Sequence, residues 1–113
     1  MHEKGAEYFD GYYPNPFMLL VLPIKQDKRR IIPAVTHVDG SGRIQTVDRV
    51  NQPYYRLIEE FERRTGVPVV LNTSFNLRGE PIVHRPEEAL ADYLETGMDA
   101  LFMGPFLLEK DRS

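Results

Sequence analysis

A polar stretch, NTSFNLRGEP, follows a run of apolar residues and holds side chains that could bind a ligand. Ser74 and Asn76 flank Phe75, so in an extended backbone their side chains point the same way while Phe75 turns to the core. The hydroxyl and the carboxamide then stand about 7 Å apart on one face, a spacing that suits phosphate or ribose oxygens. Arg78 adds a guanidinium, and Gly79 lets the backbone approach a ligand closely.

A structural role for the same stretch is the alternative. Asn, Thr and Ser side chains often satisfy loose backbone groups where a strand ends. Asn72, Thr73 and Ser74 directly follow the apolar residues 67–71, which we predict to be a strand. These residues alone leave both interpretations open.

A second set of candidates lies upstream. Arg43 and Gln45 share one face of a predicted strand whose apolar residues suggest burial, and a buried arginine needs a partner. Asp48 or a bound anion would serve equally well. His37 stands beside a turn and is either a ligand or acid/base group or a histidine that is simply hydrogen-bonded. The three histidines have no metal-ligand spacing and there is no cysteine, so we predict no metal site.

The composition limits the kind of protein. The 113 residues, 42% of them hydrophobic, suit one small domain that spans residues 1–113. A net charge of −3 disfavours general binding of nucleic acid or of an anionic membrane. Apolar runs are too short to span a bilayer, and the absence of cysteine and of a signal-like start favours the cytoplasm. No P-loop, GxSxG or GxGxxG motif occurs.

These candidates must be positioned by an α/β (α+β) fold with some antiparallel edges. The hydrophobic pattern predicts a buried strand in residues 16–24, a hairpin of residues 33–38 with 43–47 around the turn DGSG, and strands at 67–71, 99–103 and 106–108. One helix begins at Pro53 and is stopped by Gly66, and a second begins at Pro86 and ends at Gly97.

Each predicted helix has one apolar face. The first face comprises Tyr54, Leu57, Ile58 and Phe61, and the second Ala89, Leu90, Tyr93 and Leu94. On the outer face of the first helix we expect the ion pairs Glu59–Arg63 and Glu60–Arg64.

The motifs PAVTHVDGSGRIQTVD and GVPVVLNTSFNLRGEPIV, followed by a PEEAL helix, strongly resemble the carboxyl-terminal region of the O-carbamoyltransferases, the enzymes of nodulation-factor and antibiotic carbamoylation. The resemblance covers nearly the whole chain. It implies a YrdC-like domain with a twisted mixed β-sheet and two main helices, here as a partial domain. It also implies the substrates ATP, optionally with Mg²⁺, and carbamoyl phosphate, which would yield carbamoyladenylate.

By the same resemblance, Ser74 and Asn76 form a Ser-x-Asn nucleotide motif and Arg43 lies near the phosphates, with His37 and Arg78 as further ligand-binding candidates. The catalytic residues stay unassigned. The expected partner is an amino-terminal carbamoyltransferase domain, which transfers the carbamoyl group to an acceptor hydroxyl. A Lys-x-Arg segment of the family is missing upstream, so we expect the isolated chain to be a fragment that binds ATP weakly and transfers nothing.

Two alternatives remain from the sequence. The chain could be a folded module without catalysis that mainly associates, including self-association as a homo-oligomer through a bare sheet edge. It could also make threonylcarbamoyladenylate for tRNA modification, although the THVDG and RIQTVD stretches favour the carbamoyltransferases.

Overall fold

The computed structural model of the protein describes residues 1–110, and for His2 the backbone only. The chain divides into two compact units, Met1–Leu71 and Asn72–Ser113, called here the amino-terminal and the carboxyl-terminal unit. The single-domain prediction is not tested by this division and stays a prediction.

A two-stranded antiparallel sheet forms the centre of the amino-terminal unit. Its strands are β1, Leu20–Pro23, and β2, Ser41–Ile44. The prediction of a longer buried strand in residues 16–24 was wrong, because Leu19 is 78% exposed and the segment before β1 is a loop. Met18 has a left-handed φ of 54°, and the amide of Leu19 donates to Asn15 Oδ1, so the backbone there leaves the extended conformation.

The predicted hairpin of residues 33–38 with 43–47 was also wrong. Pro33–Val35 forms a 3-10 turn, and β2 pairs instead with β1. Proline cannot donate to a strand ladder, while the hydroxyl of Thr36 donates to the carbonyl of Ile32 and closes the turn locally. The turn at DGSG is confirmed, with Gly40 at a φ of 83°.

Two hydrophobic clusters hold the amino-terminal unit together. The first surrounds Ile24, which is fully buried, and contains Tyr8, Phe9, Ile32 and Ile44. Tyr8 belongs to the short helix α1, Gly5–Tyr8. The second cluster joins Val47 to two buried residues of the next helix, Tyr55 and Ile58.

Helix α2, Gln52–Thr65, confirms the first predicted helix. Gly66 ends it at a φ of 77°, and its amide donates to the carbonyl of Glu62, as expected for a glycine C-cap. Leu57 is 59% exposed, however, and Phe61 40%, so the apolar face is only half covered.

One of the two ion pairs predicted on α2, Glu60 with Arg64, is confirmed, and the other differs. Glu60 pairs with both Arg63 at 2.8 Å and Arg64 at 3.9 Å. Arg63 therefore pairs with Glu60, three residues before it, and not with Glu59 as predicted.

Residues 67–71 do not form a strand, contrary to the prediction. Their side chains alternate between two clusters: Val67 and Val69 pack on the Ile24 cluster, and Val70 packs on the cluster of Tyr55. The alternation is that of a strand, but among the described residues no neighbouring strand pairs with it.

The carboxyl-terminal unit contains helix α3, Pro86–Glu95, and an antiparallel hairpin of β3, Ala100–Met103, with β4, Phe106–Glu109. Both strand predictions and the second helix are confirmed, although α3 ends before Gly97. The core is a cluster of Ala89, Tyr93 and Leu101, against which Phe75 and Val83 pack. Leu90 and Leu94 are 36% and 64% exposed, so only half of the predicted inner face is buried.

The α+β class with two main helices is confirmed, as a partial domain with three α-helices and two small antiparallel sheets. Within residues 1–110 there are four strands, whereas the hydrophobic pattern predicts five or six. Over the same residues no helix has both the length and the apolar character that a bilayer crossing needs.

Candidate functional site

Strand β2 carries two polar side chains on its outer face. Ser41 and Arg43 alternate with the buried Gly42 and Ile44, so their side chains point to the same side, about 7 Å apart. Arg43 is exposed, which corrects the expectation that this arginine is buried. In the part of the chain that the structure describes, its guanidinium has no ion pair, and Asp48 instead accepts a hydrogen bond from the amide of Val50.

His37 is joined to this face of β2 through Ser41. His37 Nδ1 lies 3.1 Å from Ser41 Oγ, and the amide of His37 donates to the carbonyl of Ser41. Asp39 Oδ1 accepts both the hydroxyl of Ser41, at 2.7 Å, and its amide, at 2.9 Å. The structure therefore connects His37 to the face of β2 that carries Arg43 through Ser41, a residue that the sequence analysis did not select.

The guanidinium of Arg29 lies against the turn that carries His37. A Cβ built on Gly40 would stand 2.3 Å from Cζ of Arg29, so the guanidinium covers the glycine closely. Arg29 Nε is fixed there by donating to the carbonyl of Ile24 at 3.0 Å. The turn thus sits between the Ile24 core and an arginine whose charge favours anions nearby.

The carboxyl of Asp39 is stabilised in its ionised form. Hydrogen bonds from the hydroxyl and then the amide of Ser41, with a smaller contribution from His37, hold its pKa below the ordinary value of 3.8. Because the folded-state pKa is lowered, this carboxyl contributes stability above pH 3.8, and the contribution is lost as pH falls through the folded-state value.

We therefore expect Asp39→Asn to lower the melting temperature at neutral pH but to leave it nearly unchanged in acid, where wild-type Asp39 is itself uncharged. Circular-dichroism melts of both proteins over a pH series measure the difference. Asp10→Asn is the control, because Asp10 is exposed and its carboxyl has no hydrogen bond among residues 1–110. A difference that stays constant with pH would contradict the expectation.

In the carboxyl-terminal unit the Ser-x-Asn motif has one buried and one exposed side. Phe75 packs on the Tyr93 cluster, and its carbonyl accepts the amide of Val83, so its predicted inward orientation is confirmed. Ser74 is exposed, and its hydroxyl has no hydrogen-bond partner among the described residues. Asn76 Nδ2 donates to the carbonyls of Leu77 and Glu80, which leaves Oδ1 as the atom that can meet a ligand.

Arg78 and Gly79 form the tip of a turn that Asn76 stabilises. The turn is closed by a hydrogen bond from the amide of Glu80 to the carbonyl of Leu77, and Gly79 has a φ of 89°. This φ is the left-handed value that a type II turn requires at its third residue. Gly79 therefore has a conformational reason to be glycine, and Arg78 extends into solvent.

An acidic cleft in the same unit is distinct from the predicted anion-binding residues. Its lining includes four carboxylates and a histidine: Glu80, His84, Glu88, Asp92 and Glu95. Glu88 Oε2 accepts the amide of His84 and so closes the start of α3. Such a lining repels phosphate. Among the described residues no group of His, Asp and Glu is arranged to hold a metal ion.

The chemical capacities of the candidates can now be separated. Arg43, Arg78 and the hydroxyl of Ser74 can donate to phosphate oxygens, whereas Asn76 presents an acceptor. Arg43 and Ser74 belong to different units, so their convergence with Asn76 on one surface stays a prediction. The sequence analysis did not select Ser41 and Asp39. The spacing Asp-x-Ser within a glycine turn could have indicated them, because an Asp side chain in a turn often accepts a hydrogen bond from the residue two positions later.

Comparison with known proteins gives one family match. The family model described as Carbamoyltransferase C-terminus matches residues 1–110. The chain is 45% identical over 114 residues to nodulation protein NolNO of Sinorhizobium fredii, a match that covers 97% of this chain and 17% of that protein. It is 42% identical to nodulation protein NolO of Bradyrhizobium diazoefficiens, over 97% of this chain and 21% of the relative.

A second group of relatives matches less of the chain. Nodulation protein U of Bradyrhizobium diazoefficiens is 41% identical over 81 residues, which cover 70% of this chain and 14% of that protein. The chain thus spans about a fifth or less of the length of these curated relatives.

Proposed function

Because the chain belongs to the Carbamoyltransferase C-terminus family, we propose that it forms the nucleotide-binding part of a carbamoyltransferase, which uses ATP and carbamoyl phosphate to make carbamoyladenylate. The family match over residues 1–110 carries the proposal. The exposed Arg43, held on one face of β2 with the Ser41–His37 pair, supports it, because a free guanidinium on a rigid strand suits a phosphate.

The proposed reaction is a displacement at phosphorus. Water first hydrolyses carbamoyl phosphate to carbamate and inorganic phosphate. An oxygen of the carbamate then attacks the α-phosphorus of ATP, a new P–O bond forms, and the bond from the α-phosphorus to the oxygen bridging to the β-phosphate breaks to release pyrophosphate. Such a reaction needs positioning and neutralisation of charge more than a covalent nucleophile. Arg43, Arg78 and Ser74 would bind phosphate oxygens, and Asn76 Oδ1 would accept a hydroxyl or amino group of the nucleoside. No residue is assigned as a nucleophile.

The curated relatives are much longer than the region that this chain matches. An amino-terminal domain would take the carbamoyl group from the adenylate to an acceptor hydroxyl, in the cytoplasm where ATP and carbamoyl phosphate are available. We propose such a domain as the partner of this chain, because the relatives extend well beyond the matched region.

An ATP titration followed by NMR tests the proposal. Two or three charge-assisted hydrogen bonds of about 1.5–3 kcal/mol each total about 3–9 kcal/mol before the entropy of association is subtracted, so we expect a dissociation constant of about a millimolar or weaker. Arg43→Ala should weaken binding about tenfold or more. Asn76→Ala should weaken binding less, since its remaining acceptor is neutral.

The matched control for this titration is Arg56→Ala, which removes an exposed arginine from helix α2. An equal loss of affinity in Arg56→Ala would show that only general charge is being measured. No shifts at Arg43, Ser74 or Asn76 on addition of ATP would refute the proposed site.

Self-association is a second candidate role, supported by apolar side chains on the amino-terminal unit. Phe17 and Leu19 are each 78% exposed and Val21 is 54% exposed, all on or next to β1. Among the described residues the edge of β1 away from β2 has no partner strand, and it is covered at its end, where the amide of Asp10 donates to the carbonyl of Pro23. Exposed apolar groups beside a strand edge favour pairing with another chain. We expect sedimentation velocity to show a concentration-dependent dimer, and Leu19→Lys to shift it to monomer. A monomer at high concentration would exclude this role.

A further inference from the structure

The hydrogen bonds around Ser41 Oγ have a defined direction. Asp39 Oδ1 lies 2.7 Å from this oxygen, and an ionised carboxylate can only accept. A serine hydroxyl has a single hydrogen, which Asp39 therefore receives. Ser41 Oγ can then only accept from His37 Nδ1, which lies 3.1 Å away.

This direction determines the protonation pattern of His37. Nδ1 carries the hydrogen, so in the neutral ring Nε2 carries a lone pair. An unconstrained histidine favours the opposite arrangement, with the hydrogen on Nε2. The His37 ring is exposed, and in the described part of the chain no hydrogen bond reaches Nε2.

We propose that Asp39 and Ser41 are positioning residues that hold His37 as the Nδ1–H tautomer, so that Nε2 accepts a hydrogen bond from an N–H or O–H group of the ligand. The ligand part of this inference rests on the proposed function, which offers two such donors, the carbamoyl NH₂ and the ribose hydroxyls. A lone pair at Nε2 repels phosphate oxygens. Arg43 and His37 therefore bind different parts of the ligand: Arg43 binds the phosphates, and His37 accepts a hydrogen bond from an uncharged donor.

Three charged side chains surround the turn that carries the exposed ring of His37. Oδ1 of Asp39 accepts both hydrogen bonds from Ser41, and among the described residues no ion pair joins this carboxylate to the ring of His37. Arg29 covers Gly40 in the same turn, and Arg43 projects from the same face of β2. The turn itself is anchored by the amide of Ile24, which donates to the carbonyl of Gly40.

Long-range ¹⁵N–¹H NMR of the chain without ligand, at a pH where histidine is neutral, tests the positioning role. We expect wild-type His37 to be mostly Nδ1–H. In Asp39→Ala the hydroxyl of Ser41 is free to donate to Nδ1, so the ring should become mostly Nε2–H. Asp39→Asn keeps an acceptor oxygen and should keep the Nδ1–H tautomer, which makes it the matched control.

The tautomer of His37 distinguishes a positioning role of Asp39 and Ser41 from a role in stabilising the turn alone. If Asp39 and Ser41 only stabilised the backbone, Asp39→Ala would lower the melting temperature without changing the tautomer of His37. Ser41→Ala removes the acceptor of Nδ1–H and provides the same test should Asp39→Ala fail to fold. A wild-type ring that is mostly Nε2–H, or a tautomer unchanged in both alanine variants, would overturn the proposal.

Three small probes test the role of Nε2 on the wild-type chain. Carbamoyl phosphate and acetyl phosphate differ by an NH₂ in place of a CH₃, and adenosine offers the ribose hydroxyls without phosphate. We expect the Nε2 resonance to move with carbamoyl phosphate or with adenosine, which identifies the donor, and not with acetyl phosphate. Equal shifts with both phosphates would place phosphate on His37 and overturn the ligand assignment. No response to any probe would overturn it too, while the tautomer measured without ligand still decides the positioning role separately from nucleotide binding.

Discussion

Ile24→Ala is expected to lower the free energy of unfolding of the amino-terminal unit by about 2–5 kcal/mol. Ile24 is fully buried at the centre of its cluster, so the alanine leaves a cavity as well as losing apolar contacts. Its neighbours are held by backbone bonds on both sides, since the amide of Ile24 donates to the carbonyl of Gly40 and that of Lys25 to the carbonyl of Tyr8. The cavity therefore cannot close easily.

Urea unfolding followed by circular dichroism measures this effect, with Ile31→Ala as the matched control. Ile31 is 47% exposed, and its truncation should cost less than about 1 kcal/mol. Equal losses in the two variants would show that the core is not centred on Ile24. Because the backbone of Ile24 anchors the turn that carries His37, we also expect the NMR signals of that turn to broaden in Ile24→Ala but not in Ile31→Ala.

Gly40→Ala is expected to destabilise the same unit by about 2–4 kcal/mol, for two separable reasons. At a φ of 83° the left-handed backbone conformation costs an alanine about 1–2 kcal/mol of conformational energy. The new Cβ would also meet the guanidinium of Arg29, the end of a flexible side chain, so the added cost is that of weakening the hydrogen bond from Arg29 Nε to the carbonyl of Ile24.

Two further variants separate these reasons by denaturant unfolding. Gly11 has a φ of 63° with open space around it, so Gly11→Ala should show only the backbone penalty of about 1–2 kcal/mol. In an Arg29→Ala background the clash is absent, and Gly40→Ala should cost no more than Gly11→Ala does. A full loss in that background would mean that Arg29 does not cover the turn.

Features that depend on neighbours along the chain were determined by the sequence. The 3.6-residue period of the apolar residues predicted helix α2, and Gly66 predicted its end. Pro86 predicted the start of α3. The glycine turn after His37 and the inward side of Phe75 followed from the same local rules of backbone conformation and side-chain alternation. The two long motifs identified the family, which the match over residues 1–110 confirmed.

Features that depend on distant partners were decided only by the tertiary structure. The pattern of β2 fits a hairpin with residues 33–38 as well as a pairing with β1, and the choice rests on a proline that cannot donate and on packing around Ile24. Burial depends on which element covers a side chain, so neither the exposure of Arg43 nor that of Leu19 could be derived from hydrophobicity along the strand. The bonds from Asp39 through Ser41 to His37 likewise needed the folded turn, because their direction follows from distances between side-chain atoms that residue types alone do not specify.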